Sequence, residues 1–165
     1  FFFGLSGGND GPMSLKQTLK QIRELIDKKE FDAASKVCSD ALETEEGAGS
    51  YLLWVFSGVC HHKLDTPDAS IAAYQKATEL DPNQSPAWQG LRDLHLERND
   101  VAKLLPVVDK LVHLAKDVAG RCGQYKKVLP LILSAEGKTV ASQSFRFKVE
   151  DHKTRLRAQR AAAAK

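Results

Sequence analysis

Apolar residues recur with helical spacing along most of this chain. In "SLKQTLKQIRELIDKK" (14–29), Leu15, Leu19, Ile22 and Ile26 stand at i, i+4, i+7 and i+11, the signature of one buried helix face. "KKEFDAASKVCSDALETE" (28–45) follows, with Phe31 after a turn and Ala34, Cys38 and Ala41 spaced as small packing residues. "YLLWVFSGVC" (51–60) is the densest apolar stretch, long enough for a core helix and far short of the roughly 20 residues that span a bilayer. "AAYQKATELDPNQSPAW" (72–88) ends one helix at Leu80, breaks at Asp81-Pro82, and restarts with a tryptophan. Pro82 shuts off the preceding helix. Thr66-Pro67 and Ser85-Pro86 each set a capping hydroxyl before a proline suited to a first helical position.

Trp88 lies 34 residues after Trp54. Aligned on the two indoles, Gly58 and His61 follow the first, and Leu91 and His95 follow the second. Ser70, Tyr74, Ala77 and Pro82 fall in the same register. This is the spacing of the tetratricopeptide repeat, in which Trp-x2-Leu-Gly-x2-Tyr is followed by Ala, Phe, Ala and Pro. Two antiparallel helices with their turns consume that length, and each pair exposes an apolar face that its neighbour covers. The predicted fold is therefore all-α, with helical hairpins stacked as a right-handed solenoid. Repeats are expected at about 15–48, 51–84 and 85–118, the linker "GAGS" (47–50) adding two residues to the first.

The expected packing set is Phe31, Ala34, Ala41, Trp54, Gly58, His61, Tyr74, Ala77, Pro82, Trp88, Leu91 and His95. Small members let helix axes approach, and the rings of Trp54, Tyr74 and Trp88 fill what remains. His61 and His95 take the tyrosine position of the pattern and read as packing residues.

Beyond Trp88 the pattern frays. Pro106 within "LLPVVDKLVHL" (104–114) predicts a helix that starts near Leu105 or kinks there, with Gly120 as its end. "GQYKKVLPLILSAEG" (123–137) repeats this with Leu129-Pro130 and ends at Gly137. "SFRFKVED" (144–151) alternates like a strand, but Phe145, Val149, His152 and Leu156 also keep helical spacing, and helix is the reading adopted. Residues 121–165 are thus expected to form further irregular helices with a basic end.

Composition adds limits. With 165 residues and 42% apolar content, the chain is long enough to bury a core. Its three cysteines, Cys38, Cys60 and Cys122, are too few and too irregular for a disulfide framework, and suggest reduced thiols in a cytoplasmic protein. Cys60, His61 and His62 are consecutive and point in different directions, so no metal site is expected. No nucleophile–base set, phosphate loop or paired carboxylates stand out, so neither an enzyme nor a cofactor is expected. The net charge of +3 divides unevenly: residues 1–120 carry 13 Lys/Arg and 18 Asp/Glu, and residues 121–165 carry 11 and 3. Arg146, Lys148, Lys153, Arg155, Arg157 and Arg160 are candidates for contact with RNA or an acidic partner, with Phe145 and Phe147 beside them.

"FFFGLSGGNDGP" (1–12) has a different composition from the rest, lacks the layout of a signal peptide, and ends in a Gly-Pro resembling a protease-site scar. It reads as a tag or as a fused peptide. In the second case Phe1, Phe2 and Phe3 would be apolar anchors docked against the helices, with Leu52, Leu53, Val55 and Phe56 as the surface available to them. A short linker gives a millimolar-scale effective concentration for such docking.

"YLLWVFSGVCHHKLDTPDASIAAYQKATELDPNQSPAWQGL" (51–91) resembles the first repeats of the long tetratricopeptide scaffold subunit of the superkiller complex. The Trp-Val-Phe-x-Gly-Val run, the Pro-Asp helix start and the "AWQGL" restart carry the likeness, with "LLPVVDKLVHL" in support. It extends over about 13–115. The resemblance implies a cytoplasmic, non-catalytic N-terminal arm of a far longer protein. That family holds an RNA helicase and WD-repeat propeller subunits and couples them to the exosome for 3′-to-5′ mRNA decay. Helicase and propellers sit mainly on later repeats, which implies that their principal contacts lie outside this segment. The alternatives are a generic peptide-binding repeat module, a co-chaperone gripping acidic C-terminal tails, or an RNA contact through the basic end. The co-chaperone positions would fall on Leu19, Arg23, Phe56, Gln89 and Asp93, where one basic residue is a poor clamp for two carboxylates and Asp93 repels them.

Overall fold

The computed structural model describes residues 13–132, and all regular structure among them is helical. The chain divides into two compact units, one ending at Pro82 and the other beginning at Asn83.

In the first unit, α1 (Leu15–Asp27) and α2 (Phe31–Leu42) form a hairpin, a short α3 (Glu45–Ala48) follows, and α4 (Tyr51–Lys63) and α5 (Pro67–Leu80) form a second hairpin. Ser14 starts α1 with a reciprocal capping box: its side chain accepts the Gln17 backbone N–H, while the Gln17 side chain accepts the Ser14 N–H at 3.0 Å. Ile22, Ala34, Cys38, Leu53 and Cys60 close the core between α1, α2 and α4. Helix α5 packs on α4 through Ser70, Ala73, Tyr74 and Ala77, all buried. The contact is close because Gly58 lacks a side chain. A Cβ there would stand 2.6 Å from the Tyr74 ring. Beside it the Ser70 hydroxyl donates to the Gly58 carbonyl at 2.7 Å.

The second unit contains the hairpin of α6 (Ser85–Glu97) and α7 (Val101–Leu114), with α8 (Val118–Ile132) packed on α7. Leu104, Val108 and Val128 make its core cluster.

Each hairpin turns in the same way. The helix before it ends in a residue with left-handed backbone: Lys29 (φ 63°), Asp65 (φ 53°) and Asn99 (φ 55°). The next N–H then reaches back five residues: Glu30 to the Leu25 carbonyl, Thr66 to His61 and Asp100 to His95, each at 2.9 Å. The left-handed residues donate to Ile26, His62 and Leu96, completing three Schellman turns. Their spacing is 36 and then 34 residues, as the positions 29, 65 and 99 give, so the first interval carries the two-residue excess. That interval contains α3, a single turn capped by the Thr44 hydroxyl, which takes in Gly47 and Ala48 of the expected 47–50 linker.

Several local expectations need correction. Thr66 does not cap α5 with its side chain. As part of the turn, its hydroxyl donates instead to the His61 carbonyl at 3.0 Å. Helix α6 begins at Ser85 itself, with Gln84 in the cap position. Helix α7 starts at Val101 rather than near Leu105, so Pro106 lies in its interior. Val101, Leu104, Val107, Val108 and Leu111 are all buried along that helix. At roughly 1.5–3 kcal/mol each, they outweigh the roughly 3 kcal/mol cost of an interior proline. Gly120 does not end α7. It sits in the first turn of α8, where its N–H donates to Asp117 Oδ1 at 2.6 Å, as a third-position donor does to a capping side chain. Pro130 likewise lies within α8 rather than at a helix start. The expected end at Gly137 and the helix at 144–151 fall outside the described residues.

Candidate interaction surface

Several side chains with chemical potential are tied up by their own fold, while the Cys122 thiol is exposed. His61 Nδ1 lies 3.1 Å from Thr66 Oγ1, and since that hydroxyl's proton is directed to the His61 carbonyl, Nδ1 is the donor. Cys38 and Cys60 are buried and hydrogen-bonded to each other. The hydrogen bond with Cys60, and then burial, push the Cys38 thiol far up, so it stays protonated and unreactive. His95 is buried and its Nδ1 has no hydrogen-bond partner. Burial holds its imidazole below its ordinary pKa; Asp100 pulls the other way, while Lys103 and Arg98 add to the depression. In the same unit Arg92, also buried, is held by Asp93 at 2.7 Å and by Gln124 at 2.7 Å. No group of three potential metal ligands occurs among the described residues, and no described helix is long and apolar enough to cross a membrane.

The other expected packing residues divide by exposure. Ala34, Gly58, Tyr74, Ala77 and Leu91 are buried, Phe31, Ala41, Trp54 and Trp88 are half-buried, and Pro82 is exposed. The Trp54 indole N–H donates to the Ala48 carbonyl at 2.8 Å, tying α4 to the short α3. Of the surface offered to a docked peptide, Leu53 and Val55 are core residues and are removed from consideration. Leu52 is exposed and Phe56 half-buried. Phe1, Phe2, Phe3 and the basic candidates Arg146, Lys148, Lys153, Arg155, Arg157 and Arg160 lie outside the described residues.

The first unit carries an open groove of about 870 Å³. Ser14, Leu15, Lys16, Gln17, Leu19, Lys20 and Arg23 of the α1 side line it, with Glu46 from α3 and Leu52 from α4. Ile22 and Thr18 turn inward and fix the helix, which leaves the basic residues on the outside. Arg23 lies over the Phe56 ring, 5.9 Å from its centroid, close enough for a cation–π contact. Of these lining residues, alignment on repeat positions points to Leu19 and Arg23 alone. Lys16 and Lys20 were legible as exposed residues of an amphipathic helix, but not as the wall of a groove.

No protein-family model matches the chain. Superkiller complex protein 3 of Homo sapiens is 39% identical over 122 residues, covering 71% of this chain and 8% of that protein. Its Mus musculus counterpart is 38% identical over 122 residues, covering 74% and 7%. Tetratricopeptide repeat protein 37 of Xenopus laevis is 38% identical over 103 residues, covering 61% and 6%. Among solved structures, PcrH in complex with the chaperone-binding region of PopD superposes with a TM-score of 0.61 at 14% identity, over 81% of this chain and 97% of that one. The Yersinia enterocolitica type III secretion translocator chaperone SycD gives 0.59 at 14% identity, over 89% and 97%. Identity that low speaks for the fold alone. The chain spans less than a tenth of the length of the curated relatives it matches. Over the matched residues the chain is a homologue of superkiller complex protein 3 and of tetratricopeptide repeat protein 37.

Proposed function

We propose that the chain is a non-catalytic protein-interaction scaffold, the N-terminal arm of a superkiller complex subunit. It acts with an RNA helicase, WD-repeat subunits and the exosome in cytoplasmic 3′-to-5′ mRNA decay. The observation that carries this reading is the 39% identity to superkiller complex protein 3 over 122 residues. The packing supports it. His61 and Cys60 are engaged by their own hairpin or core partners, and the first unit carries a groove open to a protein segment. The experiment is affinity capture of the tagged full-length parent from cytoplasmic extract. A helicase and exosome factors are expected in the eluate; recovery of chaperones alone would overturn the assignment.

A further inference from the structure

The groove between α1 and α4 has a charge opposite to that of the unit that carries it. Residues 13–82 hold eight Lys/Arg and twelve Asp/Glu. Three of those eight, Lys16, Lys20 and Arg23, line this one groove, against the single carboxylate of Glu46. Their spacing of four and three residues keeps them on one face of α1 over about 10 Å of axis. They are also available. Among the described residues Lys20 has only Glu24, 3.8 Å away with both side chains more than half exposed, a weak pair. Lys16 and Arg23 make no ion pair among the described residues, and Arg23 rests on an aromatic ring instead.

Between and beside these cations the groove is aliphatic. Leu15 and Leu19 are half-buried, and Leu52 is 41% exposed at its edge. Leucines offer apolar anchorage but no face on which a base can stack, and no aromatic residue is among those that line the groove. A leucine row beside a cationic row matches an amphipathic helix with its charges reversed. Carboxylates at i, i+4 and i+7 repeat the spacing of Lys16, Lys20 and Arg23, and leucines one position aside meet Leu15, Leu19 and Leu52.

Resting on the scaffold reading above, we propose that the α1–α4 groove docks an acidic, leucine-bearing helical segment of a partner protein. The test is fluorescence anisotropy of a labelled Leu-Glu-Glu-Leu-Leu-Glu-Ala repeat peptide titrated with the full chain. Binding in the micromolar range at low salt is expected, weakening several-fold as screening increases. Lys16→Glu with Lys20→Glu should lower the affinity by about tenfold or more, and Leu52→Ser by about threefold. Far-UV circular dichroism should stay unchanged; the melting temperature should hold for the lysine changes and fall by a few degrees for Leu52→Ser, whose side chain is only 41% exposed. Lys36→Glu, on α2 and outside the groove, should leave binding intact. Absence of binding, equal binding of a Lys-for-Glu peptide, or indifference to the double charge reversal would overturn the proposal. So would tighter binding of single-stranded oligouridine, lost in the same variants, which would make the groove a nucleic-acid surface. A dimer dissociated by Leu52→Ser would assign the groove to a second copy, also against the proposal. If the peptide fails while affinity capture still recovers the helicase, only the partner chemistry falls. If both fail, the scaffold reading falls with it.

Discussion

Replacing Gly58 by alanine sets two effects of opposite sign against each other. In an exposed helix the change is favourable by roughly 1 kcal/mol, because glycine has the greater backbone entropy to lose. Here the new Cβ would stand 2.6, 2.7 and 2.8 Å from Cε1, Cδ1 and Cζ of Tyr74. Carbon atoms prefer about 3.5–4.0 Å, so the ring must retreat by about 1 Å. It cannot swing into solvent, because Tyr74 is only 4% exposed. Helix α5 must move instead, and that stretches the buried hydrogen bond from Ser70 to the Gly58 carbonyl. Overpacking of this kind costs about 1–3 kcal/mol, and a weakened buried hydrogen bond up to about 1 kcal/mol. The net expectation for Gly58→Ala is a loss of about 1–2 kcal/mol.

Urea unfolding followed by circular dichroism measures this directly, with the Tyr74→Leu background as the control. Leucine lacks the ring atoms that the Cβ would meet. In that background Gly58→Ala should therefore be neutral or stabilising, with a coupling energy of at least about 1 kcal/mol. If Gly58→Ala alone raised stability by the amount helix propensity gives, the close packing of α4 on α5 would be refuted as the reason for the glycine.

Three further substitutions probe the turns and the buried imidazole. Lys29→Gly should stabilise the first hairpin by about 0.5–1 kcal/mol, since a left-handed backbone strains a residue with a Cβ; Asn99→Gly should gain less, because asparagine tolerates that conformation, and urea midpoints of both variants check the order. His95 has a folded-state pKa below its unfolded value, so the unfolded chain binds the extra proton and stability is fully present above about pH 6.5 and lost as pH falls through the folded pKa. The urea midpoint should decline from neutral pH toward pH 5, and His95→Leu should flatten that decline; an unchanged slope would mean that another group titrates.

Much of the fold is legible in the order of side chains. The Leu15–Leu19–Ile22–Ile26 row defines α1, the Trp54-to-Trp88 interval gives the period, and Pro82 marks the end after α5. These are local facts: side-chain spacing selects a helix, and proline removes a donor wherever it stands. The sequence alone did not determine the residues whose behaviour depends on what lies across the packing. Pro106 reads as either a helix start or an interior kink, and five buried neighbours on α7 decide for an interior position. Gly120 reads as a stop, yet Asp117 caps a new helix at that point. Thr66 reads as a cap, yet the turn brings its hydroxyl to His61. The groove is the clearest case. Lys16, Lys20 and Arg23 are three solvated cations on one helix until α3 and α4 bring Glu46 and Leu52 beside them. Periodicity says which face of α1 points away from the core; only tertiary packing decides whether that face is left to water or becomes the wall of a site.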